Sequence, residues 1–232
     1  MIFNGTDLSS RIIIKRIRRG MSGDISTVTL NPPSKIGSHF VRRKIESRVI
    51  EVEYTVMKTT RALFLDEIRA LVAILITDEP KVLKFKDDTV QYYAILTGGT
   101  DIDEIHARGG GKLTFLCADP HKYATADTVL TDPVTVTQDG QPTPCQIELT
   151  INEATAYALV QVGTNSIRFD RALSIGDVLT IDTGQRTALL NGTIDIRPDK
   201  TVLSEWFLMG GGAVTVYPAS SDLEITYRKR WL

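Results

Sequence analysis

The sequence predicts an α+β first half followed by an all-β second half. Three observations carry this prediction. "SRVIEVEYTVM" alternates apolar and polar residues with the period of a half-buried strand. "TTRALFLDEIRALVAILITDEP" repeats apolar residues at helical spacing. Beyond this region short apolar runs alternate with turn residues and no helical period returns.

Taken in order, "RIIIKRI" reads as a short strand with basic flanks. Regular alternation through it puts Lys15 and Ile17 on one face, Arg16 and Arg18 on the other. "RRGMSGDISTVTLNPPSKIGSHF" is rich in Gly, Ser and Pro, and reads as a long loop or a protruding hairpin arm with "TVTL" as a strand. In the next strand Ile50, Val52, Tyr54 and Val56 share one face, with Glu51, Glu53 and Thr55 opposite. The helix places Phe64, Ile68, Leu71, Val72 and Leu75 on one stripe and Asp66, Arg69 and Ala73 opposite. Thr59 or Thr60 caps it, because a hydroxyl oxygen accepts from the free amides of the first turn. Pro80 ends it, lacking an amide proton and disfavouring helical geometry at Glu79.

"KVLKF", "VQYYAIL" and "KLTFLCA" follow as three strands. The Pro-, Asp- and Thr-rich stretch 124–133 marks a border, giving domains 1–130 and 131–227. The second domain runs through "CQIELTI", "AYALVQV", "SIRF", "DVLTID", "RTALL", "TIDI", "AVTVY" and "LEITY". Asn191-Gly192 is a strong hairpin signal between two of them. Such spacing reads as a β-sandwich or jelly roll. The tail, residues 228–232, is expected to leave the sandwich and return to the first domain, burying Trp231.

Composition narrows the function. No apolar run approaches the length of a membrane helix. The opening "MIFNGTDLSS" lacks the pattern of a signal peptide, so a cytoplasm is the expected site of synthesis, with Cys117 and Cys145 as free thiols. The net charge of -1 hides a split. Residues 1–60 hold eleven Lys/Arg against five Asp/Glu, and the remainder holds 16 against 23. A chain basic at one end and acidic at the other can pair with copies of itself, or bind nucleic acid through its basic end.

Tests for chemistry fail. "HARGGGK" puts His106 where a phosphate loop needs its first glycine, and Leu113 where it needs a hydroxyl. The glycines then read as a tight turn feeding a strand. Asp101, Asp103, Glu104 and His106 match no metal-ligand spacing. Cys117 lies in an apolar run, and no Gly-x-Ser-x-Gly elbow occurs. The expectation is no enzyme, no cofactor and no metal. "KRIRRG" lacks the interleaved aromatics of a nucleic-acid surface, so a solvated or subunit-pairing face is favoured.

As a set and in this order, "FNGTDLSSRIIIKRIRRG", "KIESRVIEVEYTVM", "TTRALFLDEIRALVAIL", "TDEPKVLKFKDD", "YYAILTGGTDIDEI" and "GGGKLTFLCADPHKY" resemble the N-terminal domain of the distal tail protein family of long, non-contractile-tailed bacteriophages. More loosely, "NSIRFDRALSIGDVLTIDTGQRTALLNG" and "SEWFLMGGGAVTVYPASSDLEITYRKRWL" look like that family's galectin-like β-sandwich. Gly211-Gly212-Ala213 departs from the Gly-Asn of many relatives.

The resemblance implies a structural protein of the virion tail tip, assembled in the host cytoplasm. It implies a homohexameric ring, possibly paired rings, joining the tail tube protein to a tail-associated lysin or tail fibre base, sometimes with a receptor-binding protein. DNA would pass through the channel without specific binding, with no membrane involved. A ring of head-to-tail contacts needs two complementary surfaces per subunit. The candidate interface residues are Arg11, Lys15, Arg16, Arg18, Arg19, Arg42, Arg43, Glu51 and Glu53, with the arm, about Gly20–Phe40, reaching the next copy. The competing reading is a carbohydrate-binding module. Against it, "TNSIRF" lacks the histidine of the galectin His-x-Asn-x-Arg strand, and Trp206 lies in another context.

Overall fold

The computed structural model describes residues 1–33, 36–99, 101–131, 135–137 and 139–232. Its chain divides into two compact units, Met1–Tyr123 with Leu232, and Ala124–Trp231.

The first unit contains β1 (Ile2–Phe3), β2 (Thr6–Asp7), β3 (Ile13–Arg19), β4 (Ile25–Leu30), β5 (His39–Ile45), β6 (Arg48–Met57), α1 (Arg61–Leu75), β7 (Lys81–Lys84), β8 (Val90–Gly98), β9 (Asp103–Ile105) and β10 (Arg108–Cys117), and reaches into β11 (Lys122–Ala124). Strands pair in the order β2-β1-β7-β8-β10-β6-β3, with β9 also on β10. β8 serves two neighbours: Gln91–Ala94 face β7, and Ile95–Gly98 face β10 across a register shift. Strand β6 alternates as its sequence demands, burying Ile50, Val52, Tyr54 and Val56. These side chains meet Phe3, Leu83, Phe85, Tyr92, Leu113 and Phe115 in one core.

Helix α1 closes that core with Phe64, Leu71 and Leu75. Thr60 caps it, its hydroxyl accepting from the Leu63 amide at 3.3 Å. The helix stops at Leu75, ahead of Pro80. Val72, expected on the buried stripe, is 46% exposed. Val72 lies at the margin of the stripe, between buried Leu71 and Leu75 in sequence but turned away from the core they enter.

The second unit contains β12 (Thr128–Thr131), β13 (Thr135–Val136), β14 (Cys145–Thr150), β15 (Ala158–Val162), β16 (Asn165–Phe169), β17 (Val178–Asp182), β18 (Thr187–Leu190), β19 (Ile194–Asp195), a 3-10 turn (Arg197–Asp199), β20 (Gly212–Tyr217), β21 (Asp222–Tyr227) and β22 (Arg230–Trp231). One sheet runs β12-β21-β14-β17-β18-β19 and the other β13-β20-β15-β16. Both sheets contribute alternate residues to one core: Ile147, Leu149, Leu179, Ile181, Leu223 and Ile225 from the first, Ala158, Val160, Val162, Ile167 and Phe169 from the second. This is a β-sandwich. Asn191-Gly192 turns the chain between β18 and β19, both residues at positive φ.

The contact boundary falls at Tyr123/Ala124, ahead of the expected residue 130. The reason is that Thr128–Thr131 pairs with Tyr227–Glu224 as an edge strand, so part of the apparent linker belongs to the sandwich. Asp132 and Pro133, also in that expected border, lie outside the described residues. Of the tail expected to rejoin the first domain, Leu232 groups with the first unit and 228–231 with the second. Arg228 pairs with Asp127 at 2.6 Å, Arg230 donates to the Pro142 carbonyl, and the Trp231 indole donates to Asp139 at 3.2 Å.

Candidate subunit interface

β4 and β5 form a separate two-stranded ribbon, antiparallel from Ile25↔Ile45 to Leu30↔His39, with Val41 taking up a register shift. This settles the Gly/Pro-rich stretch as a hairpin arm; Ser34 and Lys35 of its loop lie outside the described residues. Every residue of β4 is exposed, and all of β5 up to Lys44. The exposed residues include Ile25, Val28, Leu30, Phe40 and Val41, with Phe40 65% and Leu30 61% accessible. A lone two-stranded hairpin is marginally stable in water, and clustered exposed apolar side chains mark an interaction surface.

The root of this arm is fixed. Asp24 and Glu46 exchange backbone hydrogen bonds with their neighbours across the ribbon base, Glu46 N–H to Asp24 C=O at 2.7 Å and Asp24 N–H to Ser47 C=O at 3.4 Å. Arg48, 1% exposed, donates to the carbonyls of Gly20 (2.6 Å), Met21 (3.4 Å) and Pro120 (3.0 Å), and its guanidinium lies 5.7 Å from the Tyr92 ring centre. An arginine in a sequence reads as surface, so its residue type hides Arg48. Its first position in an alternating strand, in phase with buried Ile50 and Val52, was the available signal.

The predicted interface residues separate into three groups. Arg11 and Arg19 are engaged within their own unit. Arg11 pairs with Glu67 at 2.7 Å; Arg19 pairs with Asp87 and Asp88 and stacks 4.3 Å over Phe85. Burial alone would raise the Glu67 carboxyl, but hydrogen bonds from Lys58 and Arg11 hold it below the usual range. The second group is a charged face on β3, β6 and β10. Glu51 takes Lys112 at 2.6 Å and Arg18 at 3.6 Å, and the Lys112 hydrogen bond lowers its carboxyl. Arg16 stands opposite Glu53 in the ladder. Here the expected alternation fails. The register slips between Ile14 and Arg16, so Lys15 occupies a bulge and stays exposed while Ile17 turns to the core with Ile14. Arg42 and Arg43 make up the third group, exposed on the arm.

The glycines of "HARGGGK" lie inside β10, opposite Val56, Thr55 and Tyr54, rather than in a turn. His106, at φ 55, makes the turn. The glycines serve close approach: a Cβ on Gly109 would meet the Phe64 ring at 2.7 Å, on Gly110 the Tyr54 carbonyl at 2.6 Å, and on Gly111 the Asp101 carbonyl at 2.4 Å.

Among the described residues no cluster of three metal-ligating groups occurs, and no helix is long and apolar enough to cross a membrane. Burial pushes both cysteine thiols up to about 11. Trp206 meets Phe169 edge-on at 6.5 Å and packs against the sandwich core, and Arg168 of "TNSIRF" stacks 3.9 Å over Tyr157. Neither side chain offers the free platform that a galectin sugar site uses.

Two family models match the chain. A phage tail protein RIFT-related domain matches residues 4–117, and a Siphovirus-type tail component, C-terminal domain, matches residues 140–231. Among solved structures, the SPP1 Dit (gp 19.1) protein, described as a paradigm of the hub adsorption apparatus in Gram-positive infecting phages, is 16% identical. It aligns over 100% of this chain and 98% of its own with a TM-score of 0.85. The phage p2 baseplate in its activated conformation with Sr aligns over 94% of this chain and 91% of that chain, at 9% identity and a TM-score of 0.52. At such identities the structural matches show a shared fold. No significant match occurs among curated proteins. Two tail-component models in this order, one over each unit, agree with the segments read from the sequence, and the chain belongs to the distal tail protein family of siphovirus-type tail components.

Proposed function

We propose that this protein is a structural hub at the distal end of a phage tail. Six copies close into a ring through their first units. The ring continues the tail tube on one side, receives the tail-associated lysin or fibre base on the other, and leaves a channel for DNA. The second units, read as galectin-like sandwiches, lie outside and hold baseplate or receptor-binding proteins. The protein is placed at the virion tail tip after assembly in the host cytoplasm, and no catalytic step, cofactor or metal is assigned to it.

The observation that carries this reading is the arm: a braced ribbon whose apolar side chains Ile25, Val28, Leu30, Phe40 and Val41 stay exposed among the described residues. In a ring, each arm lies on the next copy, and the contact is heterologous, as closure requires. Lys15, Arg16, Arg18, Glu51 and Glu53 form a second face available to neighbours, whereas Arg11 and Arg19 brace the unit from inside. Replacing residues 25–45 with a short Gly-Ser link tests the reading. The expected product is a folded monomer with unchanged circular dichroism per remaining residue. Rings that persist without the arm would show that it does not join the copies.

A further inference from the structure

We infer that the arm docks on the carboxyl end of α1 of the neighbouring copy, on Val72 and Ile76 flanked by Asp78 and Glu79. This inference rests on the ring reading above and names the acceptor that it needs. Besides Val49 and Leu63, the first unit exposes large apolar side chains outside the arm in three places. On β3, Ile13 is 56% exposed, beside Lys15, Arg16 and Arg18. At the amino end of α1, Met57 and Ile105 are exposed beside Lys58 and Arg108, with Lys58 paired to Glu67 and Arg61 to Glu104. At the carboxyl end, Val72 and Ile76 are 46% and 61% exposed, followed by Asp78 and Glu79.

Charge decides among the three. The arm carries Arg42, Arg43 and Lys44, of which Lys44 is held by Glu46 at its root. On the β3 face Lys15, Arg16, Arg18 and Lys112 outnumber Glu51 and Glu53, which repels a cationic arm; at the amino end of α1 the ion pairs Lys58–Glu67 and Arg61–Glu104 are already closed and offer it no net attraction. The carboxyl end has the opposite sign. No basic residue lies in the last turn of α1, so its terminal carbonyls add to the field of the two carboxylates. Lys81 offsets Glu79 at 3.3 Å, and Asp78 makes no ion pair among the described residues.

Shape agrees with charge. Val72 and Ile76 rim a shallow apolar dimple floored by Leu75, Leu96, Ile102 and Leu113. On the arm, Val28 lies directly opposite Arg42, so one face of the ribbon presents an aliphatic group and a guanidinium side by side. That pairing matches an apolar dimple with carboxylates at its edge.

Disulfide trapping tests the contact in the full chain. Arg42→Cys is combined with Asp78→Cys and oxidised with copper-phenanthroline; the buried Cys117 and Cys145 do not compete. The expected result is a disulfide from residue 42 of one copy to residue 78 of the next, giving a ladder of covalent multimers. The parallel variant Arg42→Cys with Arg108→Cys is expected to yield no ladder. A ladder through residue 108 in place of 78 overturns this acceptor and leaves the arm reading intact. No cross-link from residue 42 at any concentration also overturns it. Rings that survive loss of the arm overturn the arm reading itself.

Discussion

Arg48→Ala is expected to destabilise the first unit by about 3 kcal/mol or more, the scale of removing a buried charged group from its partners. The side chain is buried and makes hydrogen bonds to three backbone carbonyls, at Gly20, Met21 and Pro120. Truncation leaves those acceptors facing a cavity, each without its donor. Arg48→Lys keeps the charge but replaces a planar fork with a single ammonium, so it is expected to recover only part of the loss. The effect reaches the arm, because Gly20 and Met21 are where the chain enters it. Both tryptophans lie in the second unit, so fluorescence does not report this unfolding. Hydrogen exchange of the β6 and β10 amides does. The expected change is roughly a hundredfold faster exchange there, with the β14 and β17 amides unaffected. Equal acceleration in both units would contradict a local role for Arg48.

The second large effect is at Gly99. It sits at φ +77, and a Cβ built on it would lie 1.6 Å from the Lys112 carbonyl oxygen and 2.7 Å from its carbon. Both contacts are backbone, so no side chain can swing aside. Gly99→Ala must therefore push the end of β8 off β10, beside the Thr114↔Gly98 pair. An expected cost of about 3 kcal/mol combines left-handed strain of roughly 1 kcal/mol with the broken pairing. Gly192→Ala is the control. It also has positive φ, but no atom lies within 4 Å of the added methyl, and about 1 kcal/mol is expected. Urea unfolding followed by circular dichroism measures both. Equal costs at the two sites would show that conformational strain alone, and not the contact with Lys112, makes Gly99 necessary.

Much of the fold was legible because local pattern and tertiary packing agree there. β6 alternates, α1 carries a stripe and a capping threonine, and Asn191-Gly192 marks its turn. The misses occur where one residue changes the phase or where a side chain acts against its type. The bulge at Lys15 inverts the faces of β3, and no composition signal announces a one-residue slip. The glycines at 109–111 read as a turn because glycine usually frees the backbone, whereas here they make room for Phe64, Tyr54 and Asp101. Thr128–Thr131 looks like linker by composition and is strand by pairing. The candidate interface was half legible. Basic residues were visible as a cluster, but only side-chain geometry separates Arg11 and Arg19, spent on Glu67, Asp87 and Asp88, from Arg42 and Arg43 on the exposed arm.

The central claim is that copies of this chain close into a ring. The mass of the full-length protein in solution, by light scattering over a wide concentration range with negative-stain images of the largest species, tests it most directly. The account predicts particles of six times 25.7 kDa, or twice that for paired rings, with six-fold symmetry and a central hole. A particle that stays at the mass of one chain at every concentration would contradict it.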